Sequence, residues 1–336
     1  MYNLWREKEI SLFKKKYSIT SNKVLLKMFP GRSLKSLEMQ AHKLGLNKSH
    51  TLYEKVMKKV GEDKMVRKNP LRKYVGKDRI IGRPIRLNVQ ELKKKKGKKY
   101  AEVLFIGDWH YGAKECDIEK IIDNLNYCYD HNIYVFLMGD LIDAGIKTSV
   151  GASMYNQTAN PQAQLEYVEQ LLQPLAKKKL ILGILEGNHE LRIEKDTGVS
   201  VTKIWARWLN IPYLGSACWS LFKIGKQSYK IYALHGSSGA KFIYTKLKTI
   251  VDISHSFNAD LMVMGHVHEL SHDSQTVQDI DKSSKQVIER KKFILLTGHY
   301  LAYDSSYAQR KGFPISKLGS PKVKFFSDHF DIHISF

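Results

Sequence analysis

The sequence predicts an α/β body over residues 101–336, preceded by a small all-α unit over 1–48 and a basic connector over 49–100. Three observations carry that division. Apolar, β-rich runs recur after residue 101: "VLFIGD", "YVFLMGD", "LILGILEGN", "YKIYALHG", "DLMVMGHVH" and "KFILLTGH". Helical periodicity fills several of the gaps, and strands apolar throughout and covered by helices define α/β layering. Positive charge is concentrated ahead of them. Residues 1–100 hold 29 Lys and Arg against 8 Asp and Glu, a net of +21, while the remaining residues hold 26 against 25.

A neutral body with a basic arm points to a polyanionic partner. Nucleic acid, DNA in particular, is the expected partner. An acidic membrane surface is the weaker alternative, because the basic part carries no Lys/Trp amphipathic helix. No apolar run reaches the roughly 18 residues of a membrane span. The start "MYNLWREKEI" has no signal-peptide core. Cys116, Cys128 and Cys218 are scattered and form no CxxC, which favours free thiols in a reducing compartment. A soluble, cytoplasmic protein is expected.

In the first unit, Ile10, Phe13 and Tyr17 share one helical face, with Trp5 one turn earlier. Ser21 can cap a second helix whose apolar positions are Val24, Leu25 and Met28. "FPGRS" breaks the chain. Ser33 can cap a third helix with Leu34, Leu37, Ala41 and Leu44 on one face, ended by Gly45. Arg32, Lys35, Gln40, His42 and Lys43 fall on or near its other surfaces. The early Trp5 and "GRSLKSLEMQAHKLGL" resemble the Myb/SANT-like helix-turn-helix family. The resemblance implies that the third helix enters a major groove, with Arg32, Lys35, Gln40 and Lys43 contacting nucleic acid. The plain alternative is a helical assembly module. The connector, with its "ELKKKKGKKY" block, is expected to stay solvated as a linker, with a phosphate-tracking arm as the alternative.

In the body, Ile118, Ile121, Ile122, Leu125 and Cys128 mark one helix over 117–130. Asn160 as cap, Pro161 at the first position, and Leu165, Val168, Leu172 and Leu175 mark another over 160–178. Each strand-like run ends in a polar residue able to bind metal. The runs supply Asp108 and His110, Asp140, Asn188 and His189, His235, then His266 and His268. Strand carboxyl ends gather at one edge of an α/β sheet, where ligands bind. Carboxylate, imidazole and amide oxygen suit Mn, Fe or Zn, and the absence of cysteine argues against a structural zinc cage. The set exceeds what one tetrahedral ion uses. Two ions about 3.5–4 Å apart, bridged by a carboxylate, would use it. Glycines beside the ligands permit tight turns and close backbone approach.

The order Asp-x-His, Gly-Asp, Gly-Asn-His, His-Gly, Gly-His-x-His resembles the calcineurin-like metallophosphoesterase superfamily over residues 101–300. The resemblance implies a two-sheet sandwich flanked by helices, with a metal pair at the strand ends. Asp108, His110, Asp140 and His268 would hold one ion. Asp140, Asn188, His235 and His266 would hold the other, Asp140 being the bridge. Mn²⁺ is the expected metal, with Fe, Zn and Ni as alternatives. His189 would be the non-ligand histidine beside the scissile phosphate, and Asp143 the carboxylate that orients it. Asp143 as a simple helix cap is the competing reading. A hydroxide generated between the ions would attack phosphorus in line, and His189 would protonate the leaving oxygen.

Substrate class is read from the basic N-terminal unit, which would bring a polyanion to the site, and from the motifs of the body. "GDLIDAG" and "EGNHE" place Ala144 and Glu186 where the superfamily's protein phosphatases have arginine, although Arg192 lies near enough to substitute. "GDLID" resembles the DNA-repair exonucleases of the superfamily. "TGHYLAYDSSYAQRKGFPISKLGSPKV" resembles the tails of its phage and prophage members, which would place the protein in a host cytoplasm. A DNA nuclease or DNA-end-processing phosphodiesterase is expected. The alternatives are a phosphomonoesterase or cyclic-nucleotide phosphodiesterase with an accessory arm, and a DNA-binding regulator with a vestigial body. Tyr300, Tyr303 and Tyr307 are expected to pack internally, with base stacking as the alternative. The loop 145–160 could touch substrate.

Overall fold

The computed structural model describes residues 5–17, 20, 22–46, 87–146, 149, 157–281, 284–304 and 306–336. The chain divides into two compact units, residues 1–84 and 85–336.

The first unit contains α1 (Glu7–Lys16), α2 (Asn22–Met28) and α3 (Leu34–Lys43). Phe13, Tyr17, Leu25, Phe29, Leu37 and Ala41 form its core, with Trp5 packed against Phe13 and Phe29 at ring centroids 5.0 and 5.7 Å. Ser33 caps α3 by accepting from the Ser36 amide at 3.2 Å, as expected. Ser21 lies outside the described residues. Two expected core positions, Val24 and Leu34, are exposed. Phe29, from the breaker segment, turns inward and supplies the bulk that they do not. Arg32 also departs from expectation. Its side chain is buried, its guanidinium carbon sits 4.1 Å over the Trp5 ring, and Nη2 pairs with Glu9 Oε2 at 3.1 Å. A cation held over an indole and paired to a carboxylate is packing the unit, so Arg32 is not presented to nucleic acid. Lys35 and Lys43 are exposed and Gln40 is half-buried.

The second unit is a sandwich of two sheets. Its strands are β1 (Asn88–Glu91), β2 (Tyr100–Ile106), β3 (Tyr134–Leu137), β4 (Ile181–Ile184), β5 (Ala217–Ile224), β6 (Gln227–Leu234), β7 (Leu261–Met264), β8 (Leu270–Asp281), β9 (Gln286–Thr297), β10 (Lys322–Phe326) and β11 (Ile332–Ser335). Its helices are α4 (Ile118–His131), α5 (Pro161–Lys177), α6 (Asn188–Thr197), α7 (Val201–Trp208), α8 (Ile243–Ser254) and the short α9 (Tyr307–Arg310). One sheet runs β1-β5-β6-β7-β9-β8 and the other β11-β10-β2-β3-β4. The six strands expected from the sequence divide evenly. β2, β3 and β4 are parallel neighbours in one sheet, and β6, β7 and β9 in the other.

Strand alternation builds the layers. Along β2, Val103 and Phe105 face the inter-sheet core with Phe136, Phe222, Ile231, Val263 and Phe325. Leu104 and Ile106 face the other way, onto Ile121, Leu125, Leu165, Val168 and Leu172 from α4 and α5. Met262, Met264, Ile294 and Leu296 cover the outer face of the other sheet against Ile250 of α8. Both expected helices form: Asn160 caps the second as expected, accepting from the Ala163 amide at 2.9 Å, and Asp117 caps the first, accepting from the Lys120 amide at 3.0 Å.

The connector ends earlier than residue 100. β1 pairs in parallel with β5, Leu92 is buried in the inter-sheet core, and Lys95 Nζ pairs with Glu102 Oε2 at 2.7 Å. One leucine with a core to enter and one lysine with a buried carboxylate to meet bring this stretch into the body. The three cysteines are free thiols. Among the described residues, no helix is long and apolar enough to cross a membrane.

Candidate metal centre

The parallel strands of both sheets release their chain at one edge, and the residues following them meet there. The backbone at that edge is unusual. Asp108, His110, Asp140, His266 and His268 all have positive φ, between 50° and 67°. Asp and His tolerate the left-handed region better than most residues, but each such position costs about 1–3 kcal/mol. Five in one cluster persist because the loops brace one another. The amides of Asp108 and His110 donate to the carbonyls of Gly139 and Asp140 at 2.9 and 3.0 Å. The His266 amide donates to both Asp108 carboxylate oxygens, at 3.1 and 3.0 Å. A Cβ at Gly187 would sit 2.1 Å from Asp140 Oδ1, so a side chain there would occupy the site itself.

The side chains form three groups, the donor atoms within each lying within 4.8 Å of one another: Asp108, His110 and His268; His110, Asp143 and His189, which shares His110 with the first; and Asp140, His235 and His266. Nε2 of His110 faces Nε2 of His268 at 3.0 Å, and His268 Nε2 is 3.5 Å from Asp108 Oδ1. Asn188 Oδ1 lies 3.0 Å from His235 Nε2 and 2.7 Å from His266 Nδ1. Asp140 joins the groups, its Oδ2 standing 3.2 Å from His235 Nε2, 3.8 Å from His189 Nε2 and 3.9 Å from His110 Nε2. All eight expected polar groups, and Asp143, therefore share one crevice.

That arrangement fits a divalent cation. Asp140 Oδ2 is buried and has no hydrogen-bond partner among the described residues. Buried carboxylate oxygens without donors are costly unless a cation answers them. Two imidazole nitrogens meeting at 3.0 Å have at most one proton between them. Burial lowers the pKa of His268, and burial with the nearby His235 charge lowers that of His266, which favours the neutral rings that metal ligation needs. Burial opposes ionisation of Asp140, yet the charges of His235, His189 and His110 hold it well below the usual carboxylate range. Burial likewise opposes ionisation of Asp143, which the hydrogen bonds of His110 and His189 hold far below that range.

His189 opens α6. Its amide donates to Asp140 Oδ1 at 2.8 Å, and its Nδ1 faces the Asp143 carbonyl at 2.6 Å. A carbonyl only accepts, so Nδ1 carries the proton and Nε2 faces the site. The Asp143 carboxylate stands 3.3 Å from the same Nδ1, so main chain and side chain of this one residue both hold the ring. Arg192 Nη2 approaches His189 Nε2 at 2.9 Å, and Nη1 donates to the Asp143 carbonyl at 3.3 Å.

Four functional positions escaped sequence reasoning. Glu190, inside the quoted "GNHE", is buried and accepts from the amides of Gly187, Asp140 and Leu141 at 3.1, 3.0 and 2.7 Å. Its place at the third position of a helix was a usable signal for a capping carboxylate. Gln157 donates to Asp143 Oδ2 at 2.6 Å, and Gln164 donates to Gln157 Oε1 at 2.9 Å while accepting from the Ala144 amide at 3.0 Å. No periodicity marks either glutamine. His299 stacks on His268 with ring centroids 5.0 Å apart, is buried, and leaves Nε2 without a partner among the described residues. Its place after an apolar run was the same signal that found the others, in a motif of no matching pattern. The loop 145–160 lies mostly outside the described residues. Tyr300 is fully buried, with its hydroxyl accepting from Asn124 at 2.8 Å, so it packs internally as expected.

A crevice of strand-end aspartates and histidines at one edge of two mixed sheets fits a metal-dependent hydrolase of the phosphoesterase class. Residues 101–300 match the model of the calcineurin-like phosphoesterase family, which covers more than half of the chain, and the chain belongs to that family. Membership points to metal-dependent phosphoester hydrolysis. Among solved structures, vacuolar protein sorting 29 from Cryptosporidium parvum is similar at 19% identity over 71% of this chain and 98% of its own, with a TM-score of 0.34. A predicted phosphoesterase from Streptococcus pneumoniae aligns at 12% identity over 71% and 90%, with a TM-score of 0.33. A metallophosphoesterase from Sphaerobacter thermophilus aligns at 14% identity over 70% and 88%, with a TM-score of 0.31. No curated protein matches the chain.

Proposed function

We propose that the protein is a phosphodiesterase that cleaves nucleic acid, DNA first among substrates, as a nuclease or end-processing enzyme of the type found in DNA-repair exonucleases and phage. The observation that carries this reading is a charge asymmetry joined to a metal centre: a net of +21 on the first hundred residues against +1 on the body that holds the site. A phosphodiester polyanion answers both.

Asp108, His110 and His268 would hold one divalent cation, and Asn188, His235 and His266 the other, with Asp140 shared between them. Mn²⁺ is the metal this mixed oxygen and nitrogen set suits first, with Fe, Zn and Ni following. Such ions lower the pKa of water and neutralise charge on phosphoryl oxygens. The chain's own part is positional. His189 Nε2, 3.8 Å from Asp140 Oδ2, accepts from Arg192 in this structure and, in the protonated ring, is the atom that would pass a proton to the leaving oxygen. The Asp143 carbonyl and carboxylate fix the ring, and Gln157 fixes Asp143 in turn.

The site is poor in groups that would clamp the dianion of a phosphomonoester. Ala144 is fully buried, and Glu186 is buried while accepting from Ser200 and Tyr213 at 2.9 Å each. Arg192, the expected substitute, reaches His189. In the helical unit, Lys35 and Lys43 lie on the same side of α3, eight residues apart, and would contact phosphate as a helix-turn-helix unit does. The test is a panel of labelled single-stranded, duplex and hairpin DNA, RNA, a phosphomonoester and a chromogenic diester, each with Mn²⁺. Cleavage of nucleic acid and diester is expected. Turnover confined to the monoester would refute the reading.

A further inference from the structure

The helix after His235 begins with three exposed apolar side chains. Phe242, Ile243 and Tyr244 are 51%, 47% and 66% exposed, and the Phe242 and Tyr244 rings are parallel with centroids 5.7 Å apart. Burying these rings would be favourable, and nothing in the hydrophobic core does so.

Their position is defined by the fold. β6 and β7 are parallel neighbours, so α8, which crosses between them, starts at the carboxyl edge of the strands. The metal centre occupies that edge. Lys246, in the first turn of α8, pairs with Glu269 Oε2 at 3.0 Å, and Glu269 directly follows His268. Ser316 donates to the other Glu269 oxygen at 3.1 Å, which brings in Ile315, 74% exposed. Lys241 Nζ stands 5.5 Å from the Phe313 ring in the same segment. Glu269 thus ties the aromatic turn and the 313–316 segment to the rim of the site.

The rim is net positive: segments 236–252 and 304–320 together with Glu269 contain Lys241, Lys246, Lys248, Arg310, Lys311 and Lys317 against Asp252, Glu269 and Asp304, with Lys246 paired to Glu269 and Lys248 to Asp252. Exposed parallel rings beside lysines match unpaired bases carried on a phosphate backbone, since every base has a π-face and every linkage a charge. A duplex keeps its bases stacked inside and would leave the rings bare.

We infer that Phe242 and Tyr244 form a stacking platform that holds the unpaired bases of a single-stranded nucleic acid next to the scissile phosphate. This rests on the phosphodiesterase reading for its substrate, and its test separates the two. An oligothymidylate carrying 5-iodouracil is photocrosslinked to the full-length protein without added metal, and adducts are mapped by mass spectrometry. Affinity for the unmodified oligomer is measured for wild type, Y244A and F242A/Y244A, and turnover of a small chromogenic diester is followed with Mn²⁺. Adducts at 242–244, affinity lower by about fivefold to a hundredfold per lost stacked base, and unchanged diester turnover are expected. Unchanged affinity in both variants would leave the rings to a protein partner and overturn the platform, as would adducts found only elsewhere. Equal losses on oligomer and diester would make the rings structural and overturn it too. Adducts at 242–244 from a wild type that hydrolyses no diester would uphold the platform while refuting the phosphodiesterase.

Discussion

Removing the Glu190 carboxylate tests whether the metal centre is braced from beneath. Glu190 is buried, and its two oxygens take four amide hydrogens at 2.7–3.4 Å, from Leu141, Asp140, Gly187 and Ile142. Those amides belong to the two loops that present Asp140 and Asn188. Each stranded buried donor costs about 1–3 kcal/mol, so Glu190→Ala should lose on the order of 5 kcal/mol. Glu190→Gln keeps one oxygen, best placed where the Asp140 and Gly187 amides converge, and sets an NH₂ against the Leu141 amide; its loss should be about 2–3 kcal/mol. A body of this size shifts roughly 2–4 °C per kcal/mol, so the alanine variant should melt roughly 10–20 °C lower. Calorimetry of the full-length chain, with and without Mn²⁺, reads this directly. Because the loops that relax carry the ligands, Mn²⁺ should also stabilise the glutamine variant less than it stabilises wild type. An alanine variant melting within about 2 °C of wild type would refute the bracing.

Three further outcomes are expected. His189→Ala should keep its metal content by elemental analysis and lose about 10²–10⁴-fold in turnover, since its ring is placed for proton transfer. A chain beginning after Pro84, where the unit boundary falls, should keep diester turnover but lose oligonucleotide affinity, most at low salt; an unchanged salt slope would dissociate the basic arm from the substrate. Burial pushes the thiols of Cys116 and Cys128 up to about 12 and that of Cys218 to about 11. Native protein at pH 8 should resist iodoacetamide while urea-unfolded protein reacts. The unfolded thiols ionise near 8.5, so the stability they contribute is full below that pH and falls as pH rises towards 11–12.

The eight polar groups of the site were legible because each ends an apolar strand, and strand ends of parallel sheets must meet at one edge. β5 and β10 were not, because their apolar runs end in no ligand. The long β8, "LSHDSQTVQDID", is polar along an exposed edge and carries no hydrophobic alternation to find. The connector's last residues hid under their own charge: a lysine block looks solvated until Leu92 finds a core and Lys95 a buried glutamate. Arg32 misled for a related reason. A cation beside a helix reads as exposed, and only the fold reveals the Trp5 ring beneath it and Glu9 beside it. Gln157, Gln164 and Glu190 act through hydrogen bonds that reach other loops, to Asp143, Ala144, Asp140 and Leu141, and pattern alone does not encode those.

The most direct measurement is anomalous scattering from crystals grown with Mn²⁺, collected at the manganese edge. Two peaks flanking the Asp140 carboxylate are predicted, one beside His110 and His268 and one beside His235 and His266. A single peak remote from Asp140, or none in the crevice at saturating Mn²⁺, would contradict the account at its root.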